Sequence, residues 1–209
     1  MAATWTADPF VPEAAELSDL AAAVQKCRGC PLFAHATQGV FGDGNRTARL
    51  LLVGEQPGDK EDLQGLPFVG PAGRILDEAL EEAQIDRAAV YVTNAVKHFK
   101  WVPQGGRRLH AKPTRREVVA CFPWLESELS LIRPEVVVCL GATAAQALLG
   151  AAFRLTKHRG ELIPHASASV GVLTTLHPSA VLRMRSAGER QAAQASFVED
   201  LRQAASLLE

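Results

Sequence analysis

The sequence predicts an α/β domain, a central four-stranded parallel sheet flanked by helices. Three observations carry that expectation. Short runs rich in Val, Leu and Thr recur at residues 49–54, 89–96, 135–140 and 171–175, each the length of a buried strand. Segments of helical periodicity separate them, at 71–84, 114–132 and 142–149, an alternation that implies parallel strands covered on both faces. A polar cluster follows each apolar run, and in open α/β sheets ligands bind in the crevice beyond the strands' carboxyl ends.

Each element has its own justification. Residues 1–12 carry two prolines and little pattern, so they are expected as a flexible arm ahead of a single domain spanning 13–209. Residues 13–26 read as a helix leading into Cys27-Arg28-Gly29-Cys30. The run 49–54 ends in Gly54 and delivers Glu55, Gln56, Pro57, Gly58 and Asp59. Phe68 then precedes a Gly70-Pro71-Ala72-Gly73 turn, where Pro71 suits a first helical turn because its missing N–H is no loss there. The strand at 89–96 carries Thr93 and Asn94 and is followed by Lys97. Thr114 and Glu117 form a capping-box sequence that starts the next helix, and Pro134 stops it. Gly141-Ala142-Thr143 follows the third strand, His177-Pro178-Ser179 the fourth, and a last helix fills 187–208. Strand ends in one parallel sheet lie side by side, so Glu55, Asn94 and His177 are expected to converge.

Composition narrows the class. With 47% hydrophobic and 22% charged residues in 209, the chain reads as an ordinary globular protein able to bury a full core. No basic start followed by an apolar run is visible, so a cytoplasmic location without a membrane partner is expected. The net charge of −1 argues against indiscriminate nucleic-acid binding, but its distribution does not. Between Lys97 and Arg116 lie seven basic residues and no acid, with Phe99 and Trp101 interleaved, a pattern suited to phosphate contacts beside base stacking.

The four cysteines are Cys27, Cys30, Cys121 and Cys139. Disulfides do not suit a chain without an export signal. Structural zinc ordinarily uses a second tight pair, whereas seventeen residues separate Cys121 from Cys139. An iron–sulfur cluster tolerates scattered ligands and fits better. Simple burial of Cys121 and Cys139 as small hydrophobes stays open.

The set GEQPG, LPFVGPAGR, TNAVKH and HPS, together with the four cysteines, resembles the iron–sulfur, family 4 uracil-DNA glycosylases from Cys27 to the final helix. The resemblance implies the uracil-DNA glycosylase fold, a [4Fe–4S] cluster on Cys27, Cys30, Cys121 and Cys139, and a base-flipping DNA-repair enzyme. Phe68 would stack on uracil, Asn94 would read its O4 and N3 edge, and His177 would hydrogen-bond O2 as charge develops. Glu55 would stabilise the cationic sugar, with Gly54, Gln56, Asp59 and Lys97 lining the substrate site. The implied partners are uracil-containing DNA, single-stranded with double-stranded left open, and free uracil as product, with the protein a monomer.

Two features depart from the family 4 pattern. Gln56 stands where a small residue is usual, and residues 102–113 look like an added loop. GEQPG and Gly106-Arg107-Arg108-Leu109-His110 resemble the UdgX branch, whose loop commonly reads Lys-Arg-Arg-Ile-His and whose members become covalently attached to DNA. That resemblance implies capture of the sugar's C1′ by His110, with Arg107, Arg108, Lys112 and Ser179 on the DNA. The alternatives are a conventional turnover glycosylase, in which His110 only contacts phosphate, and a non-catalytic iron–sulfur or zinc DNA-binding module. His35, His98, His158 and His165 read as structural or exposed, and Arg159-Gly160 as a DNA-facing turn.

Overall fold

The computed structural model describes residues 5–13 and 16–209. In chain order the strands are β1 (Asp43–Gly44), β2 (Leu50–Gly54), β3 (Val90–Asn94), β4 (Trp101–Gln104), β5 (Arg107–His110), β6 (Val136–Leu140), β7 (Leu162–His165) and β8 (Ala168–Thr175). The helices are α1 (Leu17–Val24), α2 (Asp59–Gln64), α3 (Pro71–Glu82), α4 (Arg115–Ile132), α5 (Ala142–Leu149), α6 (Leu155–His158), α7 (Pro178–Leu182) and α8 (Ala187–Ser206).

The four expected strands are present and parallel, in the spatial order β3-β2-β6-β8. The sheet is nevertheless six-stranded, because β1 pairs antiparallel with β3 at one edge and β7 antiparallel with β8 at the other. The expectation of four strands is corrected there. β1 is two residues long and β7 contains Pro164, so neither shows a strand pattern, and both suit a sheet edge.

Every residue of β2, β3 and β6 is buried, as both faces of a parallel sheet must be. Alternation splits them between two layers. Leu50, Leu52, Val92 and Val138 meet Leu76 and Leu80 of α3 and Phe197 and Leu201 of α8. Leu51, Val53, Tyr91, Val137 and Cys139 meet Leu125 and Leu129 of α4 and Ala144 and Ala145 of α5. A third cluster joins Leu20 and Val24 of α1 to Cys27, Cys30, Cys121 and Trp124.

Helix α1 is shorter than the expected 13–26, and residues 14 and 15 of that span lie outside the described residues. Ala7 is buried and donates its N–H to Ala120 O at 2.7 Å, and residues Asp8–Phe10 form a 3-10 turn; residues 1–4 lie outside the described residues. Among the described residues no helix is long and apolar enough to cross a membrane.

Candidate active site

Thr114 caps α4 as its sequence requires, accepting from Glu117 N at 3.3 Å while Glu117 accepts from Thr114 N at 2.6 Å. This cap closes the segment 97–114, which is tied to the end of β2 through Lys100 and Ala111 on Gln56 and His110 on Glu55. There the register pairs Gly54 with Asn94, and the backbone continues the contact through Ala95 N to Gly54 O at 2.9 Å. Gly54 leaves room at this point, since a Cβ would meet Asn94 Oδ1 and Phe68 Cζ and displace one of them. The amide and the aromatic ring thus close against bare backbone.

Phe68 holds a left-handed backbone, φ 56°, which is strained for a non-glycine residue. Buried Glu61 accepts from Gly70 N at 2.7 Å and Gly58 N at 3.1 Å, and Gly73 leaves no Cβ to strike Phe68 O. The Phe68 ring lies 6.4 Å from the His177 ring, with 28° between their planes.

His177 caps α7, its Nδ1 accepting from Ser179 N at 3.1 Å. Burial pushes its pKa down to about 4, against the pull of the Glu55 carboxylate. At neutral pH the ring is therefore uncharged, and with Nδ1 occupied as acceptor the proton sits on Nε2. Ser179, expected on the DNA, contributes its backbone and hydroxyl to this tautomer.

Glu55 is brought to the same space. Burial opposes its ionisation, but hydrogen bonds from His110 and Thr143 outweigh it and hold the carboxyl below the usual carboxylate range. Thr143 Oγ1 donates to one carboxylate oxygen. His110 Nε2 lies 3.3 Å from the other. Glu55, Asn94, Phe68, His177 and His110 are thus assembled at one end of the sheet, from elements spread over more than a hundred residues.

The loop expected at 102–113 is a β-hairpin, with Trp101 opposite His110 and Gln104 opposite Arg107 around a Gly105-Gly106 turn. Both glycines have positive φ, 54° and 76°, as a two-residue primed turn demands. Gln56, expected to line the substrate site, has its amide engaged with the hairpin. Its buried amide donates to Lys100 O at 3.1 Å and Ala111 O at 3.2 Å and accepts from Lys100 N at 3.2 Å, stapling the hairpin's two ends. Arg108 is not free for phosphate either. It pairs with Asp59 at 2.6 Å and fully buried Asp62 at 2.5 Å, with its guanidinium over the Phe99 and Trp101 rings. Asp59 is accordingly an anchor for the hairpin. Lys97, expected among the substrate and phosphate contacts, is wholly buried against Glu128 at 2.5 Å. Arg107 and Lys112 are exposed, as phosphate contacts need to be. Asp62 and Glu128 carry no sequence signal because their partners are far away in the chain, and Thr143 is legible only as part of a strand-end cluster, not as the partner of Glu55.

The thiols divide three to one. Cys27, Cys30 and Cys121 share one buried cluster, where Trp124 Nε1 donates to Cys27 Sγ at 3.3 Å and Lys97 N to Cys121 Sγ at 3.2 Å. Burial pushes the Cys121 thiol up to about 12, against the pull of Lys97, and Cys30 and Cys27 are near enough to raise it further. Cys139 is elsewhere: it sits in the layer under α4 and α5, and its thiol is raised by burial alone. Strand alternation aims it into the core, so the four-cysteine set is not assembled. Among the described residues no three His, Cys, Asp or Glu side chains gather closely enough for a single metal ion. Three thiols in one cluster suit part of a ligand set for an iron–sulfur group; Cys139 does not.

The Uracil DNA glycosylase superfamily matches residues 41–202. A type-4 uracil-DNA glycosylase of Thermotoga maritima is 42% identical over 164 residues, 78% of this chain and 81% of that one. A second, from Pyrobaculum aerophilum, is 33% identical over 192 residues, covering 89% and 91%. A type-5 uracil-DNA glycosylase of the same organism is 33% identical over 139 residues, 65% and 55%. From β1 to α8, the residues that build the pocket fall inside the matched region, and the chain belongs to the uracil-DNA glycosylase superfamily.

Proposed function

We propose that this protein excises uracil from DNA and is captured by its own product through His110. The observation that carries the second half is the His110 ring on Glu55, at the end of a hairpin fastened by Gln56 and Arg108. Uracil enters a slot bounded by Phe68, and Asn94 reads its O4 and N3. The neutral His177 donates Nε2–H to O2. As the C1′–N1 bond breaks, its electron pair leaves with uracil, and Glu55 stabilises the cationic sugar. Glu55 accepts one ring N–H of His110, and the lone pair on the other nitrogen forms the new C1′–N bond. The ring proton passes to Glu55 or solvent, and the departed uracil anion takes up a proton. The protein acts as a monomer, on single-stranded DNA at least, with Arg107 and Lys112 on phosphates.

The direct test is incubation with single-stranded DNA bearing one uracil, followed by denaturing electrophoresis. A slower-migrating protein–DNA species supports capture. Alkali-labile abasic DNA without it means ordinary turnover, and intact DNA means a binding module.

Fastening of the hairpin makes a separate prediction. Arg108→Ala or Gln56→Ala is expected to slow adduct formation roughly a hundredfold, the scale of a misplacement of about 1 Å. Uracil release should fall far less, because the polar groups of both residues are spent on fastening the hairpin. Rapid-quench assays of both products check this, and a parallel fall in the two would make the hairpin a mere brace for the pocket.

For the cofactor, Cys27, Cys30 and Cys121 are assigned to a [4Fe–4S] cluster, which would brace this end of the fold when bound. The fourth position falls to a donor other than Cys139. His98 is the candidate, being a buried imidazole that directly follows the residue whose N–H meets Cys121 Sγ. Iron and sulfide content and visible absorption, measured anaerobically, should be unchanged in Cys139→Ala and lost in Cys121→Ala. Iron lost equally from both would restore Cys139 to the ligand set.

A further inference from the structure

We infer that Lys97 is a positioning residue for Asn94, so that a buried ion pair beneath the pocket aims the amide that reads the pyrimidine. The inference rests on the glycosylase reading of that pocket.

The ammonium's three protons are all committed, to Thr93 Oγ1 at 2.6 Å, Asn94 O at 2.9 Å and Glu128 Oε2 at 2.5 Å. Glu128 in turn accepts from Gly42 N at 3.0 Å, Tyr91 OH at 3.0 Å and Thr93 Oγ1 at 2.9 Å. Both ionic side chains are 0% exposed. Such a pair is not needed for stability as a rule, since apolar residues of similar volume commonly serve as well or better. Its effect is geometric.

Asn94 is the last residue of β3, where regular pairing with β2 ends. The peptide that follows is held at both ends, its N–H (Ala95) by Gly54 O and its C=O (Asn94) by the Lys97 ammonium. With that plane fixed, the Cα–Cβ bond of Asn94 leaves the backbone in a set direction, and its Oδ1 closes over the bare Cα of Gly54. An amide distinguishes uracil from cytosine only by where its donor and acceptor point, and hydrogen bonds weaken steeply with misalignment. A carbonyl released from Lys97 would let the plane rotate and the amide swing.

The test replaces the pair together, Lys97→Met with Glu128→Gln, so that no charge is left buried alone. The glutamine keeps an acceptor for Gly42 N, Tyr91 and Thr93. Single-turnover uracil release, affinity for DNA carrying a tetrahydrofuran abasic analogue, and melting temperature are measured with Asn94 present and in an Asn94→Ala background. Acting through Asn94, the replacement should slow release by roughly tenfold or more with Asn94 present, and by less than about twofold without it. Affinity for the abasic analogue, which offers no base to read, should stay within about twofold. Equal slowing in both backgrounds, no slowing in either, or affinity for the analogue falling in step overturns the inference. If the double replacement does not fold, Thr93→Val removes one partner of the ammonium without changing shape, and the same comparison applies with a smaller expected loss. Wild-type protein is assayed first: failure to release uracil would refute the glycosylase reading itself, whereas release with additive variants refutes only the role of Lys97.

Discussion

His110→Ser is expected to abolish the denaturation-resistant protein–DNA species while uracil release continues. The His110 side chain is 49% exposed and its ring reaches Glu55 from the hairpin's end, so truncation leaves a space beside the carboxylate that water can fill. The hairpin should survive, because its ladder, the Gln56 staple and the Arg108 pairs do not use the imidazole. In the unaltered protein a tethered nucleophile competes with water at an effective concentration on the order of 10⁵ M or more, so capture dominates. In the variant the same electrophilic carbon goes to water, and alkali-labile abasic DNA replaces the adduct. Denaturing electrophoresis with and without alkali reads both products. An adduct that persists in the variant would place the nucleophile elsewhere.

Glu55→Gln should cost roughly 10²–10³ in the rate of uracil release, the usual scale for removing one preorganised group facing transition-state charge. Gln keeps an oxygen for Thr143 and nearly the same shape, so affinity for uracil-containing DNA should hardly move. The pH dependence follows from the hydrogen bonds that His110 and Thr143 make to this carboxylate. They overcome the burial penalty and keep it ionised below the ordinary carboxylate range. A group with a depressed native pKa contributes stability above its unfolded value and loses it as pH falls through the native one. Release should therefore hold through mildly acid pH and fail only below the normal carboxylate range, with the variant showing no such limb. An acid limb at or above that range would contradict the arrangement around Glu55.

The parallel strands were legible because each is a buried run with local punctuation at both ends. Glu55, Asn94 and His177 were legible as a set for the same reason: parallel strands bring their carboxyl ends together. From its residues the hairpin carrying His110 looks like a loop, although Gly105-Gly106 between Gln104 and Arg107 is its signal. Pro103 in one strand and exposed polar residues in both hid it, since a hairpin on the surface has no apolar alternation to show.

Residue types and chain order alone were enough for the doubly covered sheet, the pocket's position at its carboxyl edge and the family. These follow from patterns spanning a few residues, which backbone geometry converts directly into strand, turn and helix. Which way the charged and thiol groups face was decided only on folding. Lys97 and Arg108 look like phosphate ligands in a basic stretch until Glu128, Asp59 and Asp62 arrive from elsewhere and neutralise them. Cys139 looks like a fourth metal ligand until its strand turns it into the core, away from the other three. A side chain's chemistry depends on what surrounds it, and those neighbours come from segments far apart in the chain.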